Sequence, residues 1–178
     1  MALKRLEIKG YGQIELNQAP FRRSGRIEAQ CKIADGIDYV ENGMLLAVNR
    51  KTRTIGMPTG AADEVIALNY TTEHMYDERE TGLKHFKLEK NSFLPRVGFV
   101  GLGDKWTTNC IAYDTDEFAD ETALKEALAG VVETPLYGVP CALGATKITA
   151  TKGTGFYVEV VKATDMPDGQ YAVQFAGV

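Results

Sequence analysis

The chain has 178 residues, 44% of them apolar and 25% charged, with a formal net charge of −4. That is ordinary globular composition for one domain, or one domain with an arm, large enough to bury a core. It excludes a strongly basic nucleic-acid binder, for which a domain pI above about 9 is the usual footprint. The charge is uneven: Lys4, Arg5, Lys9, Arg22, Arg23 and Arg26 outnumber Glu7, Glu15 and Glu28, so residues 1–28 carry +3 and the remainder −7. Such a bias fits either an arm that docks on an acidic partner or a solvated surface. Cys31, Cys110 and Cys141 are odd in number and far apart. They form no disulfide framework and no CxxC pattern, which points to buried thiols in a reducing cytoplasm. No apolar run is long enough to span a membrane, and the start MALKRLEIKG lacks the apolar stretch of a secretory signal.

In chain order, residues 1–26 alternate weakly and are broken by Gly10-Tyr11-Gly12 and by Pro20, Ser24 and Gly25. They read as an extended arm that can pair with a partner as an added strand, or as a first strand or a loose end. Residues 26–33 alternate with period two, the signature of a half-buried strand. Asn42-Gly43 is a turn favouring positive φ. The apolar run 44–48 is expected to cross the core, 50–53 to reverse direction, and 54–57 to return. Residues 64–71 form the next strand, and 76–90 a polar surface loop with room for a short central strand. Pro95 argues against a central ladder position, and 105–113 (KWTTNCIAY) is strongly β-prone. Residues 120–129 are the one helix, with Asp120 as N-cap, Leu124 and Leu128 as an apolar stripe, and Gly130 as the stop. Strands are expected at 147–151, 156–163 and 170–175, the last two joined by the turn Met166-Pro167-Asp168-Gly169. The expected fold is therefore mainly β (α+β): a compact antiparallel barrel or sandwich with one short helix. Residues 1–26 form the N-terminal arm and 27–178 the β-rich body.

The chemistry-bearing patterns fail on spacing. GFVGLGDK (98–105) places Asp104 and Trp106 around Lys105, which breaks the phosphate-loop pattern. The glycine loop at 153–156 lacks a following helix. Asp114, Asp116, Glu117, Asp120 and Glu121 are explained as helix-start acids, because the calcium-loop positions that need an oxygen ligand and a glycine hold Phe118 and Ala119. His74 and His85 have no metal-ligand spacing. A triad on Ser92 or Cys110 needs a histidine brought in by the fold. Trp106 and Tyr113 read as core aromatics rather than base-stacking platforms. No catalytic, cofactor-binding or metal-binding residue is nominated, and no cofactor is implied.

Val40–Pro58 (VENGMLLAVNRKTRTIGMP), EHMYDE at 73–78, FLPRVGFVGLGDKWTTNCI at 93–111 and FYVEVVKATDMPDGQYAVQF at 156–175 together resemble, in texture, the small virion proteins of tailed bacteriophages. The nearest type is the head-decoration or auxiliary capsid protein. The resemblance covers most of residues 40–175. It implies a non-enzymatic structural protein on the capsid exterior, made in the bacterial cytoplasm. Its partner would be the major capsid protein lattice, its form a homo-oligomer with a trimer favoured, with no nucleic acid and no membrane bound. On this view Lys4, Arg5, Lys9, Arg22, Arg23 and Arg26 are the partner-binding residues of a docking arm, and the body folds without residues 1–25. This chain is longer than the small lambda-type members. Two alternatives stay open: a head-fibre base or head–tail connector component, and a small β-barrel ligand-binding protein or enzyme drawing on His74, His85, Asp104 and Trp106.

Overall fold

A computed structural model describes residues 2–71, 83–91 and 95–178. Its strands are β1 (Leu3–Arg5), β2 (Ile14–Gln18), β3 (Ile27–Glu28), β4 (Lys32–Ile33), β5 (Tyr39–Val40), β6 (Leu45–Asn49), β7 (Thr54–Gly56) and β8 (Ile66–Asn69). They continue with β9 (Leu88–Glu89), β10 (Val97–Gly98), β11 (Lys105–Thr108) and β12 (Ile111–Asp114). After the helix α1 (Glu121–Ala129) come β13 (Tyr137–Pro140), β14 (Thr146–Thr149), β15 (Val158–Asp165) and β16 (Tyr171–Gly177). The protein is mainly β and sandwich-like. One sheet has the order β1-β12-β14-β13-β15-β16-β11-β2, the second β3-β10-β8-β6-β7-β4, and β5 pairs with β9.

The larger sheet does not close into a barrel, yet its two ends are built from the same two stretches of chain. β11 and β12 are consecutive, separated by Asn109 and Cys110, and lie near opposite ends of the sheet. Antiparallel to them run β2 and β1: Ile14 faces Thr108 and Leu3 faces Asp114. The segment expected as an arm therefore contributes two strands to the body's larger sheet, joined by a bent stretch and followed by the 3-10 turn Pro20–Arg22, instead of standing apart from it. Leu6 and Phe21 are buried in the core shared by the two sheets.

Strand alternation explains that core. In β6, Leu45 faces the core between the sheets while Leu46 and Val48 face a second cluster. In β8, Ile66 and Leu68 face the first cluster and Ala67 the second. Strands buried on both faces have no polar side to show, which is why residues 44–48 read as a continuous apolar run. Ile111 and Tyr113 join the first cluster and Ala112 the second. α1 lies over the first cluster through Leu124 and Leu128, and Asp120 caps it by accepting the Ala123 N–H at 2.9 Å.

Several boundaries differ from the sequence reading. Residues 26–33 are not one strand: Gln30 takes φ 61°, which ends β3 and sends β4 off to pair in parallel with β7. Among the described residues around Pro95, only Val97–Gly98 enters a ladder. The expected surface loop over 76–90 falls partly outside the described residues, but its described part buries Phe86 and Leu88 completely or nearly so. Gly43 does adopt positive φ (84°), and a Cβ there would collide with Thr108, so both turn and packing demand glycine.

Candidate docking surface

The cations nominated from the sequence divide into two kinds. Arg5 donates from Nη1 to Glu41 Oε1 at 2.8 Å and from Nη2 to Glu41 Oε2. Glu41 is 1% exposed and also accepts the Gly12 N–H. Gly12 is required there, since a Cβ would lie 2.7 Å from the Asn42 carbonyl oxygen. Burial alone would lower the Arg5 pKa, but the hydrogen bond to Glu41 prevails and holds it above its ordinary value. The nearby Cys110 thiol is pushed up to about 12 by burial, which keeps it protonated at neutral pH.

Arg26 makes the second clamp. Its Nη2 donates to Asp104 Oδ2 at 2.9 Å, and Asp104 also accepts the Phe21 and Gly101 N–H groups, each at 2.9 Å. Asp104 is fully buried. Its carboxylate thereby fixes two pieces of backbone at once: the 3-10 turn Pro20–Arg22 after β2, and the tight turn at 101–104. The Gly177 N–H donates to the Asp104 carbonyl at 2.9 Å and ties in the last strand.

Lys4, Lys9, Arg22 and Arg23 are exposed. Arg22 and Arg23 stand on the rim of an open cleft of about 880 Å³ lined by residues 16–20 and 22–24. The strand feeding this cleft is held firmly, because Asn17 Oδ1 accepts from Thr107 Oγ1 at 2.8 Å and from Gln174 Nε2 at 3.0 Å. Arg5 and Arg26 thus serve as internal fasteners, and the surface-presented cations near the cleft are Arg22 and Arg23. Nothing in the sequence alone separates these four arginines. Buried Glu41 and Asp104, which claim two of them, lie 36 and 78 residues away from their partners.

The remaining candidates take structural places. Trp106 is fully buried, with its ring 5.7 Å from that of Phe175. His85 is exposed on the 3-10 turn Leu83–His85, while His74 and Ser92 lie outside the described residues. The pocket drawn on His85, Asp104 and Trp106 therefore has one member on the surface, one in a clamp and one in the core. The acids at 114–121 satisfy backbone and side-chain donors. Asp114 accepts the Asp116 N–H, Glu117 accepts Thr149 Oγ1 and the Ala150 N–H, and Glu121 accepts the Glu7 N–H. Among the described residues, no group of three or more His, Cys, Asp or Glu is placed to hold a metal ion. No helix among them is long and apolar enough to cross a membrane. The 153–156 loop borders a separate cleft of about 400 Å³ with Lys147 and Lys152, and it leads into β15 rather than a helix.

No family model matches this chain, no curated protein matches it, and no solved structure matches it.

Proposed function

We propose that this chain is a non-enzymatic structural protein of a tailed-bacteriophage virion, a decoration or cement protein that binds the major capsid protein lattice on the head exterior. The observation that carries the reading is the rigid cationic cleft beside β2, with Arg22 and Arg23 offered to solvent on backbone clamped by Asp104. A cement protein works by shape, strand edges and buried area, typically above about 1,000 Å² for a specific contact. It gains from preorganised surfaces, since ordering a loop on binding costs affinity. Repetition over many copies on a lattice, as a homo-oligomer of which a trimer is the form the resemblance implies, lets modest single-site affinity suffice.

The direct test is sedimentation of the full chain with undecorated heads at physiological salt. Binding at one or a few copies per lattice position supports the cement role. Binding at only a few copies per particle assigns the chain to a fibre base or connector instead. Failure to co-sediment across several salt concentrations overturns the assembly reading.

A further inference from the structure

The four outer strands of the two larger sheets are unequal. β1 has three residues, β3 and β4 have two each, and β2 has five. Short edges offer little to a pairing chain, whereas a long open edge is a template for strand addition. Among the described residues, β2 is the longest outer strand of the larger sheets; its ladder with β11 is bulged between Glu15 and Gln18, so its outward N–H and C=O groups come in two short stretches on either side of the bulge. The cleft beside it leaves room, and Glu15, Asn17 and Gln18 are exposed.

We infer that the outer edge of β2 takes up an extended segment of a partner protein as an added strand, and that this segment carries acidic residues at its ends. Charge complementarity selects the acidic partner. Around the edge, Arg22, Arg23 and Lys105 are exposed cations and Glu15 is the acid on the strand, while Arg26 is neutralised by Asp104. Leu16 and Pro20 supply apolar floor to the cleft. The template is stiff because Asn17 is bonded to both β11 and β16. Main-chain pairing provides affinity in such additions, and flanking side chains provide choice. The inference deepens the assembly reading by naming the chemistry of the partner segment, but its test requires no virion.

The probe is the capped peptide Asp-Asp-Val-Thr-Val-Thr-Val-Asp-Asp, titrated into the full-length chain while amide exchange is followed. Two control peptides carry lysine for aspartate, or N-methyl groups on alternate residues. The acidic peptide is expected to slow exchange of the outward amides of residues 14–18 at least about tenfold and to weaken with added salt. The lysine peptide, the N-methylated peptide and the R22E/R23E chain are each expected to lose about tenfold or more in affinity. Protection mapped elsewhere, or none, overturns the inference, as does equal binding of the acidic and lysine peptides. Protection of 14–18 that grows with concentration of the chain alone also overturns it, by assigning the edge to a second copy. A chain that coats heads with the 14–18 amides unchanged loses this inference and keeps the assembly role. A chain that takes the peptide and ignores heads does the reverse.

Discussion

The two arginine clamps use the same chemistry for different ends. Arg5–Glu41 and Arg26–Asp104 each join a cation from the N-terminal segment to a carboxylate in the body, and each carboxylate also receives backbone N–H. The first lies inside the fold beside Cys110, with the Arg5 side chain 26% exposed and Glu41 buried, and what it secures is buried strand packing. The second lies under the surface beside the cleft, with Arg26 36% exposed, and what it secures is the shape of the turn that presents Arg22 and Arg23. Position, rather than the ion pair itself, decides whether a clamp stabilises the body or prepares a surface.

Deleting residues 2–25 removes Arg5 from the first clamp and the Phe21 donor from the second, and carries the largest expected effect. It strips β1 and β2 from the larger sheet and removes Leu6 and Phe21 from the core, each of them 2% exposed or less. Large apolar deletions alone cost about 3–5 kcal/mol apiece, so the remainder is expected to lose its cooperative thermal transition and near-UV circular dichroism. A shortened chain that melts like the full one sinks the account of residues 1–26 as part of the body.

Arg5→Ala comes next. It leaves Glu41 buried and charged without its cation, and a loss of about 3–5 kcal/mol is expected in urea unfolding. The double replacement R5M/E41L is expected to recover much of that loss, because both buried charges go together. If the single and double variants unfold at the same denaturant concentration, the clamp contributes nothing of its own.

Arg26→Ala is expected to cost less, about 1–2 kcal/mol. Asp104 keeps its two backbone donors, and the half-exposed Arg26 is screened by solvent. The effect should be local, with faster exchange of the Phe21 and Gly101 amides while the rest of the core is unchanged. Uniform acceleration across the protein would erase the distinction between the two clamps.

The smallest effect comes from pH. Asp168 is held below the usual carboxylate range: burial opposes this, but the hydrogen bonds from Gln13 and Gln170 outweigh it. A carboxylate with a depressed folded pKa stabilises fully above the unfolded value and loses that contribution as pH falls through the folded one. Its link between the 166–170 turn and Gln13 is therefore expected to weaken below about pH 4. Asp168→Asn should flatten this part of the acid-stability profile without changing stability's dependence on pH near neutrality. An unchanged acid limb would show that the tie to Gln13 carries no stability.

The parts readable along the chain were those whose cause is local. α1 follows from Asp120, the helix-forming run after it, and two leucines spaced one turn apart. β6, β8, β15 and β16 follow from apolar runs and alternation bounded by turn residues. β3 and β4 misled because the break at Gln30 is a non-glycine residue in left-handed conformation, for which period-two alternation gives no sign. The N-terminal segment is weakly patterned because its pairing partner, residues 105–114, sits about a hundred residues away and supplies the order that local spacing lacks.

For the surface the division is sharper. Amino-acid order alone determined that the first 28 residues concentrate positive charge in an otherwise acidic protein. Only folding decided which cations stay outside. Tying an arginine into the fold requires a carboxylate brought from elsewhere in the chain, and Glu41 and Asp104, themselves buried and satisfied by backbone N–H groups, meet that condition for Arg5 and Arg26. Arg22 and Arg23 remain at the rim of the cleft because the turn that carries them is held from beneath, through Phe21.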